Sequence, residues 1–229
     1  MAQLLQTPPL TVFEHMALDE TLAQSGGSVP LLRFYEWTAG PAVTFGYSQF
    51  YHFVRQQTRA EQGPLCRRPT GGGLVFHGED LTFSLIFQSR LSPKEIYRQL
   101  HSALEQALAA SGALVSSRQG AVAAAQYAPQ QNGQASGCFA NPVQDDLLSG
   151  GHKVLGGAIR RFGEMILYQG SLQCPHARQN PLFRQAITLG VQHWWGQTLE
   201  MENVPADVLT HARQLAVTQY TQAAWTEKL

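Results

Sequence analysis

Three segments of the sequence carry groups that could support acyl or phosphoryl chemistry. The first, CRRPTGGGLVFHGEDLTFS at residues 66–84, places two arginines before three consecutive glycines and a predicted strand. Glycines let a ligand approach the backbone amides closely, so this loop suits an acyl carbonyl, a carboxylate or a phosphate. The segment lacks the GK[ST] ending of a Walker loop and the GxGxxG order of a dinucleotide fingerprint.

The second and third segments contribute a lysine and a cysteine. In SGGHKVLGGAIRR (149–161), Lys153 begins a predicted strand, where its ammonium could polarise a carbonyl or lose its proton on desolvation. In GCF (137–139), Cys138 lies between a Gln-rich loop and the sequence DDLL. A neighbouring cation lowers the pKa of a thiol, so Cys138 beside a lysine would be a competent thiolate.

The other cysteines and a pair of aspartates allow simpler interpretations. Cys66 lies beside the two arginines and Cys174 follows QGSL, so either could lie near the same site, but a small buried apolar role is the default for a cysteine. Three widely spaced cysteines favour neither a disulfide framework nor a zinc ribbon. Asp145 and Asp146 could form a magnesium pair; one structural and one solvated aspartate is the favoured interpretation.

Histidines outside these segments are predicted to have no chemical role. His15, His101 and His211 fall on predicted helices and are expected at the surface. The sequence His193-Trp194-Trp195 is interpreted as helix packing.

Capping signals and periodicity predict several helices. Thr11 and Glu14 form a capping box for a helix over 12–24, and Ser92 and Glu95 form another before a helix from 93 to about 110. The second helix repeats an apolar residue every four positions. Further helices are predicted over 181–195 and 205–220.

The strand signals come in pairs that do not alternate regularly with helices. Hairpins are predicted for residues 31–37 with 42–46 and for 74–76 with 81–87, and a meander for 145–148, 153–161 and 164–172. The pattern predicts an α+β fold with a mixed, largely antiparallel sheet covered by helices. The length suits a single domain over residues 1–229.

Composition excludes several classes of protein. Charged residues make up 14% of the 229 residues, against roughly 25% in an average domain, and the 16 basic residues balance the 16 acidic ones. An electrostatic nucleic-acid surface or a membrane-binding basic patch is therefore not expected. No apolar stretch reaches the ~20 residues of a membrane span. The N-terminal sequence lacks signal-peptide features, so a cytoplasmic location is expected.

The order and spacing of these motifs carry a family resemblance over nearly the whole chain. The chain resembles the lipoate–protein ligase and octanoyltransferase family, whose catalytic domain has a biotin-protein-ligase-like fold. The matching segments are MALDE (16–20), LLRFYEWTAGPAVTFGYSQ (31–49), RRPTGGGLVFHG (67–78), KVLGGAIRR (153–161), QGSL (169–172) and ARQLAVTQYTQAAW (212–225). The arginine–glycine loop and the lysine strand are the most specific of these.

The resemblance implies acyl transfer to a lysine of a lipoyl domain, in protein lipoylation. It implies that Lys153 touches the reacting carbonyl and that the glycine loop and His77 line a tunnel for an eight-carbon chain, with no metal ligands. The implied acyl-binding residues are Arg68, Thr70, Gly71, Gly72, Gly73, His77, Gly156, Gly157, Ala158 and Gln169.

Two branches of the family differ in how the acyl group is activated. Ligases use ATP and magnesium to form an acyl-adenylate, whereas transferases take octanoate from acyl carrier protein through a cysteine thioester and need no cofactor. The sequence GCFANPVQDD stands where the ligases have a GRND-like stretch, which favours a transferase with Cys138 as nucleophile. The accessory domain that many ligases append is not expected here, which is a weaker reason for the same choice. The acceptor would be a glycine-cleavage protein or a dehydrogenase subunit.

Three positions depart from the family pattern. Gln169 replaces a histidine, while Gly157 and Ile159 replace a serine and a glutamine, which leaves a non-catalytic acyl-binding protein as an alternative beside an ATP-dependent ligase. A transferase that takes octanoate from another lipoyl domain is equally compatible with the sequence. If they face outward, Arg67, Arg68, Arg160 and Arg161 could form a basic surface for an acidic carrier protein.

Overall fold

The computed structural model describes residues 1–38, 40–112, 145–149 and 152–229. Within these ranges the strands are β1 (Ala2–Gln6), β2 (Leu31–Phe34), β3 (Ala42–Phe45), β4 (Leu65–Arg67), β5 (Val75–His77), β6 (Leu81–Gln88), β7 (Leu147–Ser149), β8 (His152–Phe162), β9 (Met165–Leu172) and β10 (Leu199–Asn203). The α-helices are α1 (Val12–Gln24), α2 (Tyr51–Gln57), α3 (Pro93–Ala110), α4 (Pro181–Trp195), α5 (Ala206–Leu215) and α6 (Ala223–Thr226). A 3₁₀ turn (Ala60–Gln62) follows α2, and a π-helical turn (Ala216–Tyr220) continues α5.

The predicted helices are confirmed, because their end signals act locally. The Glu14 backbone N–H donates to the Thr11 hydroxyl while the Thr11 N–H donates to the Glu14 carboxylate, which starts α1. Ser92 and Glu95 make the same reciprocal pair at α3. Both α3 and α4 have proline in the first turn, where a missing N–H costs nothing.

The described strands form two sheets. The larger has the order β10-β1-β2-β6-β9-β8-β7, in which β10, β1 and β2 are parallel and the remaining neighbours are antiparallel. The smaller has the order β4-β3-β5, with β3 parallel to β4 and antiparallel to β5. The predicted α+β class with a mixed, largely antiparallel sheet is confirmed.

Both predicted hairpins are wrong. The strand β2 pairs with β1 and β6 in the large sheet, whereas β3 lies in the small sheet. Likewise β5 pairs with β3, whereas β6 pairs with β2 and β9. Neighbouring strands in sequence therefore separate into different sheets. The predicted meander of β7, β8 and β9 is confirmed.

The two faces of the large sheet have different characters. One face is apolar, because alternate residues such as Phe83, Leu85 and Tyr168 pack against α3 and α4. Trp194 and Trp195 join this core against Phe87, which confirms their packing role.

The opposite face is polar where α1 and the small sheet cover it. Its residues there come from consecutive strands at matching register: Arg33, Ser84, Gln169 and Ala158 in one row, and Thr82, Ser171 and Gly156 in the next. No helix in the described ranges is both long and apolar enough to cross a membrane.

Candidate active site

A pocket lies between the polar face of the large sheet, the small sheet and helix α1. Its lining comprises Met16, Tyr35, Thr44, Arg68, Val75, His77, Thr82, Gly156, Gly157, Ala158, Gln169, Gly170 and Ser171. Six of the ten predicted acyl-binding residues are thus brought together: Arg68, His77, Gly156, Gly157, Ala158 and Gln169. Much of the wall is backbone, because three of the lining residues are glycines of β8 and β9.

Arg68 holds the glycine loop rather than pointing freely into the pocket. Its guanidinium donates to the carbonyls of Gly71 and Gly73, at 2.7 and 2.8 Å, and to the Thr44 hydroxyl at 2.9 Å. The planar guanidinium holds its donors in a rigid fork and so fixes both carbonyls in one geometry, whereas a lysine ammonium is a point charge on a flexible stem. The side chain therefore sets the conformation of the loop.

The other predicted loop residues lie away from the pocket lining. Gly71 and Gly72 instead line an adjoining surface cleft that also contains Tyr97, Gly157 and Ala158. Gly72 has a φ of 88° and lies so close to Gly46 that a Cβ on Gly46 would be 1.9 Å from the Gly72 carbonyl oxygen. The close approach of the two backbones requires glycine at position 46, and the positive φ favours glycine at position 72.

His77 belongs to a buried chain of hydrogen bonds on the pocket wall. Its Nε2 lies 2.8 Å from the Thr44 hydroxyl and its Nδ1 lies 2.9 Å from Asp80 Oδ2. Burial alone would raise the pKa of Asp80, but His77 and the hydroxyls of Thr82 and Ser171 lower that pKa to about 2. The carboxylate is therefore ionised and orients the ring.

Gln169 is the hub of a second buried network. Its amide nitrogen donates to Asp19 Oδ2 at 2.7 Å and to the Tyr35 hydroxyl at 3.0 Å, while its oxygen accepts from the Thr70 hydroxyl. An amide has donors and an acceptor at once, so Gln169 links α1, the end of β2 and the glycine loop. Thr70, predicted to bind the acyl group, acts here through Gln169.

Asp19 was missed by the sequence interpretation. Its carboxylate accepts from Arg33 Nε at 2.8 Å, from the Ser84 hydroxyl at 2.7 Å and from Tyr35 Oη, and both Asp19 and Arg33 are fully buried. A buried ion pair needs such additional hydrogen bonds to offset its desolvation. One feature of the sequence did point to burial of Asp19. Apolar residues are not concentrated on one face of its helix, which is typical of a helix surrounded by protein.

His15 and His101 correct the surface prediction, because both are buried. His15 Nε2 donates to the Glu36 carbonyl, so its Nδ1 accepts from Arg33 at 3.0 Å. Burial, together with the Arg33 charge, lowers the pKa of His15 well below its ordinary value. His211 is exposed, as predicted.

Lys153 occupies a buried position beside the pocket, although most strand lysines are exposed. Only 6% of the residue is exposed, and its Nζ lies 2.9 Å from Asp146 Oδ2. The side chain lies across Gly156: a Cβ there would be 2.2 Å from Lys153 Cε and 2.5 Å from Nζ. Because Gly156 lines the pocket, this arrangement brings a cation to the pocket wall.

The predicted nucleophile, Cys138, lies outside the described residues. The other two cysteines are buried, and neither lines the pocket. Burial raises the pKa of the Cys66 thiol far above its ordinary value, although Arg68 opposes the shift, and burial raises the pKa of Cys174 to about 11. Neither would form a thiolate near neutral pH, so both have the packing role that was their default interpretation.

The expected basic surface is wrong for two of its four arginines. Arg67 and Arg68 are buried, and Arg67 donates to the carbonyls of Tyr47, Gln49, Trp225 and Thr226. Only Arg160 and Arg161 of that set have partly or fully exposed side chains.

Comparison with known families identifies the chain. The family model of the lipoyl protein ligase A/B catalytic domain matches residues 11–181. The chain belongs to this family. The matched region contains both buried networks, the glycine loop and Lys153.

Individual relatives agree with that assignment. Octanoyltransferase LipM of Symbiobacterium thermophilum is 35% identical over 170 residues, which cover 69% of this chain and 60% of the relative. The chain thus spans about three fifths of the length of the curated relatives it matches.

Solved structures of the family have the same fold. A T. acidophilum protein described as a candidate lipoate protein ligase, with bound lipoic acid, superposes with a TM-score of 0.79 at 21% identity, covering 100% of this chain and 99% of that one. Lipoate-protein ligase A bound with ATP gives 0.77 at 21% identity, with 99% of both chains covered.

Proposed function

We propose that this protein is an octanoyltransferase of protein lipoylation. It takes an octanoyl group from acyl carrier protein, holds it as a thioester on Cys138 and passes it to a lysine of a lipoyl domain. The observation that carries the proposal is the Lys153 ammonium, buried against Gly156 at the wall of the pocket. Relatives named octanoyltransferase support the acyl group and the reaction class.

The buried cation supports acyl transfer because the reaction passes through an oxyanion. The Cys138 thiolate attacks the donor's carbonyl carbon, a tetrahedral oxyanion forms, and the carbon–sulfur bond to the carrier breaks, which releases the carrier thiolate. Lys153 stabilises the oxyanion, and removal of one such donor typically costs ~10²–10³ in rate. A cation fixed before the reaction begins needs no reorganisation during it.

The second half of the reaction uses the same groups. The neutral amine of the acceptor lysine attacks the acyl-cysteine, the carbon–nitrogen bond forms and the bond to Cys138 breaks. The proton lost from the amine restores the Cys138 thiol, which passes its proton to the carrier thiolate. Octanoyl carrier and lysine therefore give an amide and free carrier thiol, and no ATP is consumed.

The pocket supplies the acyl-binding wall in this proposal. The residues Gly156, Gly157, Ala158 and Gln169 form the part contributed by β8 and β9, and Arg68 and His77 form the part beside the small sheet. Backbone walls leave room for a flexible aliphatic chain, whose burial contributes ~0.8 kcal/mol per methylene.

The test is the intact mass of the protein after mixing with octanoyl carrier protein in the absence of ATP. An octanoyl adduct that maps to Cys138 and disappears when an apo lipoyl domain is added is the expected result. The Cys138→Ser variant should give no transferable adduct under these conditions. Modification of the acceptor only with ATP and free octanoate would overturn the proposal and indicate a ligase.

A further inference from the structure

Both oxygens of the Asp146 carboxylate have partners in the buried region behind the pocket wall. Oδ2 lies 2.9 Å from Lys153 Nζ, and Oδ1 accepts a hydrogen bond of 2.6 Å from the Tyr97 hydroxyl. The Asp146 side chain is fully buried, and 2% of the Lys153 side chain is exposed. The carboxylate therefore acts as a counter-charge of Lys153.

Tyr97 connects this ion pair to the strand that forms the pocket wall. Its hydroxyl donates to Asp146 and accepts the Gly157 backbone N–H at 3.0 Å. Burial, and then the Asp146 charge, raise the pKa of Tyr97 well above its ordinary value, so the hydroxyl keeps the proton that it donates. One side chain of α3 thus fixes both the carboxylate and the adjoining part of β8.

His101, one helical turn after Tyr97, fixes the backbone next to Asp146. Asp145 has a φ of 71°, which is unfavourable for a residue other than glycine. The Asp145 carbonyl accepts from His101 Nδ1 at 2.8 Å, and His101 Nε2 accepts from the Tyr168 hydroxyl at 2.7 Å. Helix α3 therefore holds the start of β7 at two points, the Asp146 side chain and the Asp145 backbone.

We propose that Asp146, oriented by Tyr97, is the positioning residue that fixes the Lys153 ammonium on Gly156, facing the reacting carbonyl. The inference rests on the proposed acyl transfer and adds a carboxylate and a tyrosine to its machinery. Neither side chain touches the acyl group; each acts through Lys153.

The physical reason is the cost of removing a carboxylate from beside a buried ammonium. The loss of this counter-charge makes the charged, buried position of Lys153 less favourable, so the side chain would leave the wall or lose its proton. Either response removes the cation that stabilises the oxyanion. The turnover number should therefore fall while the affinity for the acceptor domain, which docks outside, stays nearly the same.

The test compares Asp146→Asn with a matched control, Glu36→Gln. The control also converts an ion-paired carboxylate to an amide, since Glu36 pairs with Arg184 at 2.6 Å, but that pair is partly exposed and neither residue lines the pocket. Asp146→Asn should lower kcat roughly 10- to 100-fold, the size of coupling between neighbours in one network. KM for the lipoyl domain should change less than twofold, and Glu36→Gln should match the wild type. Tyr97→Phe should lower kcat by a smaller factor.

A double-mutant cycle separates positioning from a general loss of structure. If Asp146 acts through Lys153, then adding Asp146→Asn to Lys153→Ala should lower kcat no further. Independent, multiplicative effects in variants that fold normally would overturn the inference, as would an Asp146→Asn variant with wild-type kcat. If Lys153→Ala itself retained full transfer, the proposed function would fail instead, so the two failures are distinguishable.

Discussion

The ammonium of Lys153 lies in the space that a side chain on Gly156 would occupy, with Nζ 2.5 Å from the position of a Cβ. The next residue, Gly157, is equally restricted, but there the space is filled by the ring of Tyr168, at 2.3–2.4 Å. Two adjacent glycines are thus required for different reasons. The first makes room for a flexible side chain, and the second makes room for a rigid ring in the core.

Gly156→Ala should therefore abolish most activity without unfolding the protein. The new methyl group displaces the end of the flexible Lys153 side chain, which removes the cation from the pocket wall and strains its buried ion pair with Asp146. We expect kcat to fall ~10²–10³-fold, as for the loss of one oxyanion donor, and the melting temperature to fall moderately while the protein still folds. Near-normal kcat would mean that the position of Lys153 does not matter.

Gly157→Ala should mainly lower the stability of the protein rather than kcat. Its methyl group would collide with the Tyr168 ring, and overpacking of this kind typically costs about 1–3 kcal/mol. Urea unfolding should show this loss of stability. An unchanged unfolding midpoint would show that Tyr168 can move aside at no cost.

Gln169→Ala should destabilise the protein through the groups it leaves behind. The Thr70 hydroxyl would lose its acceptor, and a buried polar group left unsatisfied costs about 1–3 kcal/mol. The buried Asp19 carboxylate would lose one of the four side chains in the described ranges that donate to it. Urea unfolding should therefore show a clear loss, whereas Gln179→Ala, at an exposed position, should stay within about 0.5 kcal/mol of the wild type. Equal effects of the two substitutions would contradict the role of Gln169 as a hub.

Asp80 should make the fold sensitive to acid. Its folded-state pKa of about 2 lies below the unfolded value of roughly 3.9. The stabilisation is therefore present above pH 4 and is lost as the pH falls from about 4 to about 2. The full shift corresponds to about 2.6 kcal/mol.

The measurement is the free energy of unfolding between pH 7 and pH 2 for the wild type and Asp80→Asn. The difference between the two should shrink by about 2 kcal/mol as the pH falls through this window. Asp207→Asn, at an exposed position in the first turn of α5, should run parallel to the wild type. A constant difference for Asp80→Asn would refute the assignment.

The thiols should differ in reactivity. Cys66 and Cys174 are buried with raised pKa values, so iodoacetamide at neutral pH should modify neither in the folded protein. Cys138 should react, and in urea all three should be labelled. The readout is peptide mass mapping over time. If Cys174 were modified as fast as Cys138, thiol reactivity would no longer support Cys138 over Cys174 as the nucleophile.

The sequence predicted the structural features that are set by neighbouring residues or that form part of a family motif. The caps at Thr11 and Ser92, the meander and the grouping of the glycine loop with β8 all follow from nearby residues or from the family pattern. Strand pairing does not: β1 and β10 were missed because their partner residues, such as Ala2 and Leu199, lie at opposite ends of the sequence.

The polar networks escaped prediction for a related reason. The local sequence of α3 indicates a surface position for His101. Its actual partners, the Tyr168 hydroxyl and the Asp145 carbonyl, come from distant parts of the chain that the sheet places beside α3. Asp19 likewise has no signal in its own helix that indicates Arg33 or Gln169 as a partner. Burial of a polar residue is a property of the assembled layers and leaves little trace in a local pattern.

The glycine-built wall of the pocket also limits how the protein can change. At Gly156, Gly157 and Gly170, every substitution adds atoms and none removes them, and each added Cβ would meet an occupied space. At Gly156 the added atoms would meet Lys153, whereas at Gly157 and Gly170 they would meet the core rings of Tyr168 and Phe83, so substitution there costs stability and does not reshape the pocket. A pocket of a different size would therefore have to arise at lining side chains such as Met16 and Val75.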